Sequence, residues 1–303
     1  MGIYGRESLL TCTLGLLLMT NLASPVQAGT LERIQDEQSI NVGYRSDAYP
    51  FSFKDDAGQP AGYTIDICRH IIGRIAAELN LERVDINYVE VTPGSRFDDI
   101  GSGKVDLLCG STTKRLSLRQ QVAFSLPIFR TGISAVMRHD ADSALQEVLV
   151  DMQPLTLPRQ ANAGHFDNLR FGARADTTAE VWLRDAVSTI GIQATIKPVE
   201  SYTAGVDDVI HGDVDAFFGD RAILLSLMAK DYESSDIAVG TRRFSHEPYA
   251  LAVGKGENPF LLMVDRQLIR LFMSPVMSEI YETYFGDVNE TVRTEFLMST
   301  LPE

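Results

Sequence analysis

Two stretches of this chain read alike: Asp99-Ile100-Gly101-Ser102-Gly103-Lys104-Val105-Asp106-Leu107-Leu108-Cys109-Gly110 and Asp208-Val209-Ile210-His211-Gly212-Asp213-Val214-Asp215-Ala216-Phe217-Phe218-Gly219. Each runs from a helix end through a glycine and Val-Asp to a short apolar run and a second glycine. Glycine stops a helix by taking the left-handed conformation, which predicts that role for Gly103 and Gly212. The apolar run that follows has the length of a buried strand. Beyond the second glycine stand polar groups, Ser111-Thr112-Thr113 in one copy and Asp220-Arg221 in the other. Helix–glycine–strand units recur in all α/β proteins, so chance can produce one such match. Read as a repeat, the match predicts two similar lobes, each offering the carboxyl end of a strand. Ligands of open α/β sheets bind at such ends, so two of them face to face define a cleft.

The flanking sequence alternates in the same way. Ile40, Val42 and Tyr44 alternate with smaller or polar residues, as in a half-buried strand. From Thr64 to Leu79, Ile65, Cys68, Ile71, Ile72, Ile75, Ala76 and Leu79 make the apolar stripe of an amphipathic helix. Val84, Ile86 and Tyr88 suggest another strand, and residues beyond Pro259 a broad helical face. Alternation of this kind specifies an α/β architecture. About 140–171, with Pro154, Pro158 and Gly164, reads as an irregular insertion.

The chain has 303 residues and a formal net charge of -14, which disfavours nucleic acid and anionic membrane surfaces as partners. Arg6, the apolar stretch Leu9–Leu22 and the small residues up to Ala28 read as an export signal cleaved after Ala28. Residues 1–28 are therefore expected to be removed and the protein to work in the periplasm. A membrane anchor is the competing reading, disfavoured because the run is short. Cys12 stands too early for a lipidation site. Cys68 and Cys109 remain, and sequence leaves open whether they form a disulfide or stay as buried thiols. The five histidines are scattered. His70 is two residues from Cys68, and residues two apart on a helix do not face one another, so neither metal nor cofactor is expected.

Residues at strand ends carry the candidate chemistry. Arg45 and Arg96 follow strands, and a guanidinium fork suits a carboxylate; solvated surface arginines are the plainer reading. Ser111 and Thr113 follow Gly110 in a turn expected to lead into a helix, where hydroxyls and N–H groups cradle a carboxylate or simply cap the helix. Thr177 and Thr178, ahead of the helical stretch Ala179–Val187, have the same double reading. Asp220 ends the second-lobe strand, placed to accept from an ammonium or to make a turn.

The run Val42-Gly43-Tyr44-Arg45, Pro50-Phe51-Ser52-Phe53 and Gly62-Tyr63-Thr64-Ile65-Asp66 resembles the opening of the polar amino-acid solute-binding family of ABC transporters. Gly103 to Asp106, Cys109-Gly110-Ser111-Thr112-Thr113 and Ala123-Phe124-Ser125 continue the likeness in order, nearest to the glutamate/aspartate binders. The resemblance implies a two-lobed periplasmic binding protein fold of type II, its ligand cleft between lobes joined by two crossing strands. Lobe one would be 29–131 plus 246–303 and lobe two 132–245, with crossings near Gly132–Ala135 and Pro248–Leu251. It implies a monomer that captures a small, acidic amino acid for an inner-membrane permease, without catalysis. Arg45, Phe51, Arg96, Ser111, Thr113, Thr177 and Asp220 match ligand-binding positions. The chain departs from the acidic binders where Tyr202 replaces a histidine, where Pro93 replaces a serine, and where Leu118 replaces an arginine, leaving Arg119 one residue off. Arg174 stands where a smaller polar residue is usual, and Arg119, Arg174 and Tyr202 are counted among the expected ligand-binding residues. Dehydratases resembling this family make an enzyme the alternative, with Glu200 and Glu247 as the available acids. A sensory or accessory role is the other.

Overall fold

The computed structural model describes residues 1–2, 29–150, 166–233 and 236–302. The expected export signal beyond Gly2, its cleavage point after Ala28 and the interior of the irregular insertion, 151–165, lie outside the described residues. In chain order come α1 (Thr30–Glu37), β1 (Ser39–Tyr44), β2 (Asp47–Ala48), β3 (Ser52–Lys54), β4 (Pro60–Ala61), α2 (Tyr63–Glu78), β5 (Asp85–Glu90), α3 (Arg96–Gly101), β6 (Leu107–Cys109) and β7 (Val122–Thr131). Then follow β8 (Ile133–Arg138), α4 (Ser143–Val150), β9 (Arg170–Arg174), α5 (Thr178–Ile190), β10 (Thr195–Val199), α6 (Tyr202–His211), β11 (Ala216–Asp220), α7 (Arg221–Asp231) and β12 (Ile237–Val239). The chain closes with β13 (Glu247–Gly254), α8 (Asn258–Phe272), α9 (Pro275–Phe285) and α10 (Glu290–Met298).

Two five-stranded sheets result, ordered β5-β1-β6-β13-β7 and β10-β9-β11-β8-β12, with a small β2-β3-β4 sheet beside the first. In each, a parallel trio comes first (β5, β1 and β6, or β10, β9 and β11) and antiparallel strands complete it. The repeated sequence thus occupies equivalent places, since β6 and β11 are the third strand of each trio. Gly103 and Gly212 both take positive φ, 74° and 76°, as the helix stops require.

Side-chain alternation puts a core on both faces of each sheet. Leu107 and Cys109 of β6 pack with Ile65, Ile71 and Ile75 of α2, while Leu108 joins Ile100 and Phe124 on the other face. In the second sheet Phe217 packs against α6 and α7, and Ala216 and Phe218 face α4 and α5. Cys68 of α2 and Cys109 of β6 are joined in a disulfide with Cα atoms 6.4 Å apart.

The chain passes between the sheets twice, from Thr131 to Ile133 and between β12 and β13. The second passage ends before Glu247, because β13 pairs with β7 from its first residue; Pro248–Leu251 belongs to the sheet. At Gly132 a Cβ would run into the carbonyl of Ser245, so the two crossing segments lie backbone against backbone. The stretch expected to be irregular, 140–171, begins with α4, whose Leu145 and Leu149 are buried against the second sheet. No described helix is long and apolar enough to cross a membrane.

Candidate functional site

The strand ends of both sheets converge on one pocket. Arg45 follows β1, Arg96 opens α3 after β5, and Ser111 and Thr113 follow β6. From the second sheet, Thr177 caps α5 after β9, Tyr202 opens α6 after β10, and Asp220 ends β11. All seven line the same pocket, together with Arg115, Thr178, Ala179 and Tyr249. The lobes have closed on it until about 20 Å³ remains, room for about one water. Any amino acid therefore needs the lobes to part.

Three residues expected here are placed elsewhere. Phe51 is fully buried and does not line the pocket; its ring meets those of Phe129 and Tyr249 at 4.8 and 5.1 Å, so it packs behind Tyr249. Arg119 is exposed on a 3-10 turn, Leu116–Gln120, in which Leu118 takes the inward position and turns its neighbour to solvent. Arg174 does not line the pocket either: its Nε donates to Oδ2 of Asp47 at 2.7 Å, an ion pair between the lobes. Thr178, read together with Thr177, is brought here as well; sequence reading missed Arg115, Ala179 and Tyr249. Arg115 was legible, four residues after Ser111 in the same turn, but it leads into a 3-10 turn where a helix was expected. Thr113 instead forms an isolated bridge with Tyr249, a pairing that joins residues 136 apart and leaves no local mark.

One wall is cationic. Arg45, Arg96 and Arg115 stand together, and the buried Nη1 of Arg96 and Nε of Arg115 have no hydrogen-bond partner. Burial, then the charges of Arg45 and Arg115, push Arg96 down to about 9, so it stays charged at neutral pH but strongly under-satisfied. Its guanidinium lies 4.4 Å from the centroid of Phe97, which fixes its plane. Arg45 differs: its Nε and Nη2 both donate to Oδ1 of Asp47, at 3.0 and 2.7 Å.

The opposite wall is Asp220. Its Oδ1 caps α7, accepting from the N–H groups of Ala222 (2.9 Å) and Ile223 (3.1 Å), and from Thr131 Oγ1 at 3.2 Å. Its Oδ2 is buried without a partner of good geometry, although the Tyr249 hydroxyl stands close enough to hold the carboxyl down. Burial pushes this carboxyl up to about 7, against the hydrogen bonds that hold it down, with the charge of Glu247 raising it further. Glu247, buried on β13, accepts from Thr113 Oγ1 and Thr178 Oγ1, each at 2.9 Å. Its carboxyl is also raised, chiefly by burial. Glu200 does not line the pocket. Among the described residues no group of acidic, histidine and cysteine side chains is placed to hold a metal ion.

Unpaired guanidinium groups facing an unpaired carboxylate, across a cleft between α/β lobes, define a binder of small zwitterions with the type II periplasmic binding protein fold. The chain belongs to the bacterial extracellular solute-binding proteins, family 3, whose family model matches residues 40–287. An L-glutamate/L-aspartate-binding protein of Pseudomonas aeruginosa is 29% identical over 272 residues, 87% of this chain and 83% of that protein. The L-cystine-binding protein of Escherichia coli is 20% identical over 93% of this chain and 96% of its own. A solved ancestral amino acid-binding protein, described as a precursor of cyclohexadienyl dehydratase, superposes with a TM-score of 0.66 over 85% of this chain and all of its own, at 23% identity; that likeness shows the fold.

Proposed function

We propose that this protein binds an acidic amino acid, glutamate or aspartate, between its lobes (29–131 with 246–303, and 132–245) and delivers it to an ABC-transporter permease. The observation that carries the reading is the pairing of Arg96 and Arg115 with Asp220: buried donors without acceptors on one side, and on the other a buried carboxyl that, among the described residues, forms no ion pair with a cation. An α-ammonium satisfies Asp220, and two carboxylates satisfy more of the three arginines than one does. The 29% identical glutamate/aspartate binder supports the same choice. Export to the periplasm as a monomer belongs to this reading.

Calorimetric titration of the protein with glutamate, aspartate, glutamine, cystine and arginine tests it. We predict saturable 1:1 binding of glutamate or aspartate, and a loss of at least about 100-fold with Arg96→Ala, the cost of a charge-assisted pair in a closed site. The same change should lower the ligand-free melting temperature little, since the Arg96 guanidinium gives up only its contact with the Phe97 ring while the repulsion from Arg45 and Arg115 is relieved. Preference for glutamine or cystine would overturn the acidic assignment.

An eliminating enzyme on this fold needs a proton donor that faces the ligand. Raised carboxyls are the mark of such a group, and Asp220 and Glu247 both qualify on that count. Glu247 is engaged by the hydroxyls of both lobes, and Asp220 keeps one oxygen on α7, so binding accounts for both without catalysis. Ligand recovered unchanged after prolonged incubation is the expected outcome.

A further inference from the structure

A second cleft lies between the lobes, between α7 of one and α9 of the other, with Phe129, Arg130 and Thr131 at the end of β7 in its lining. Its volume is about 580 Å³, within the range of small-molecule pockets. Its chemistry differs from that of the amino-acid pocket. Cations line it from the second lobe (Arg221, Lys230 and Arg243) and from the end of β7 (Arg130). Aromatic rings line it from the first lobe, among them Tyr49, Tyr281 and Phe285. No acidic residue lines it. Among the described residues none of the four cations forms an ion pair with a carboxylate, whereas Arg45 and Arg174 at the other cleft share Asp47. Arg130 finds only the Ser299 hydroxyl and the Glu295 carbonyl, and Lys230 sits 4.7 Å from the centroid of the Tyr49 ring. Arg221 Nε is buried with no partner, and the nearby charge of Arg243 disfavours its own.

We propose that this cleft is a second ligand site, taking a small aromatic anion whose ring lies against the tyrosine and phenylalanine wall and whose charge meets Arg221 and Arg243. Mutual repulsion of cations in a partly dry cleft is relieved by an anion, and an apolar, planar body gains from the aromatic wall. The charge requirement excludes neutral aromatics, and the aromatic wall disfavours simple inorganic anions. The site stands independently of which amino acid the first pocket takes. The two are nonetheless mechanically joined, because Arg221 follows Asp220 in the chain and Thr131, which lines the second cleft, donates to Asp220 Oδ1 of the first.

The test is calorimetric titration of the protein with indole-3-acetate, and with indole-3-acetamide as the neutral counterpart. The acid is expected to bind 1:1, at least about tenfold more tightly than the amide, the factor one charge-assisted contact supplies. Arg221→Gln with Arg243→Gln should remove acid binding and leave glutamate titration in place. If that variant does not fold, Lys230→Gln with Arg243→Gln, both exposed positions, should weaken the acid by a similar factor. Indifference of acid binding to these variants, loss of it in Arg96→Ala alone, or equal affinity for acid and amide would each overturn the assignment.

Discussion

Asp220 divides its carboxylate between two tasks: Oδ1 holds the first turn of α7, while Oδ2 is buried at the pocket with no cation paired to it and the Tyr249 hydroxyl close to the carboxyl. The consequence is a pH dependence with a definite sign. In the ligand-free fold the carboxyl is raised to about 7, while its ordinary value is 3.8. Between those values the unfolded chain releases the proton and the folded one keeps it. Stability contributed by the protonated form is therefore full below 3.8, declines as pH rises and is gone above about 7, for a span of up to about 4 kcal/mol. We predict that Asp220→Asn, which preserves the cap, stabilises the ligand-free protein at pH 8 by on the order of 1–3 kcal/mol. At pH 4 it should have little effect. Urea denaturation at the two values measures the difference, and equal effects at both would remove the titration. Ligand binding should show the mirror image. An ammonium needs the ionised form, so affinity weakens toward tenfold per unit as pH falls below 7, and Asp220→Asn abolishes it.

At the scale of elements, the repeated helix–glycine–strand sequence placed both central strands and the pocket. Gly103 and Gly212 were legible because a left-handed stop has a residue signature. So were the strand-end residues Arg45, Arg96 and Asp220, since topology carries whatever follows such strands to the cleft. What stayed hidden had no local signature. Tyr249 reaches the pocket from β13, distant in sequence, and the β2 and β4 strands are two residues long, too short for any periodicity. Arg119 was misplaced because a 3-10 turn replaced a helix and rotated the residue outward. The sequence also left the state of Cys68 and Cys109 open, because it does not give their separation; the fold sets their Cα atoms 6.4 Å apart. The bond ties the packed face of α2 to β6, whose next residues form the arginine side of the pocket, across a sequence separation of 41. By loop-closure entropy such a tie is worth about 4 kcal/mol. We predict that reduction by dithiothreitol lowers the urea midpoint markedly and leaves the secondary structure intact at zero denaturant. An unchanged midpoint would mean that the tie contributes nothing beyond the packing around it.

For the whole molecule, Asp47 decides how the lobes meet. It belongs to the first lobe, yet it pairs with Arg45 of its own lobe and with Arg174 of the other. Both guanidinium groups are well buried, at 5% and 11% side-chain exposure, so each depends on that carboxylate for neutralisation. Asp47 thus offers Arg45 what a ligand carboxylate would offer, and it draws the lobes together in doing so. Glu247 adds a second clasp through Thr113 of one lobe and Thr178 of the other. A hinge equilibrium moves tenfold for each 1.4 kcal/mol of bias. Asp47→Asn leaves two cations facing each other across the cleft, and the remaining clasp must hold against them. We predict that this variant is measurably more open than the wild type without ligand, seen as a larger radius of gyration by small-angle X-ray scattering. Glutamate should bring it back to the closed dimension, because its carboxylate takes the place of the one removed. Equal radii for the two ligand-free proteins would mean that the ion pair follows closure and does not drive it, and the clasp at Glu247 would then be the contact that holds the lobes together.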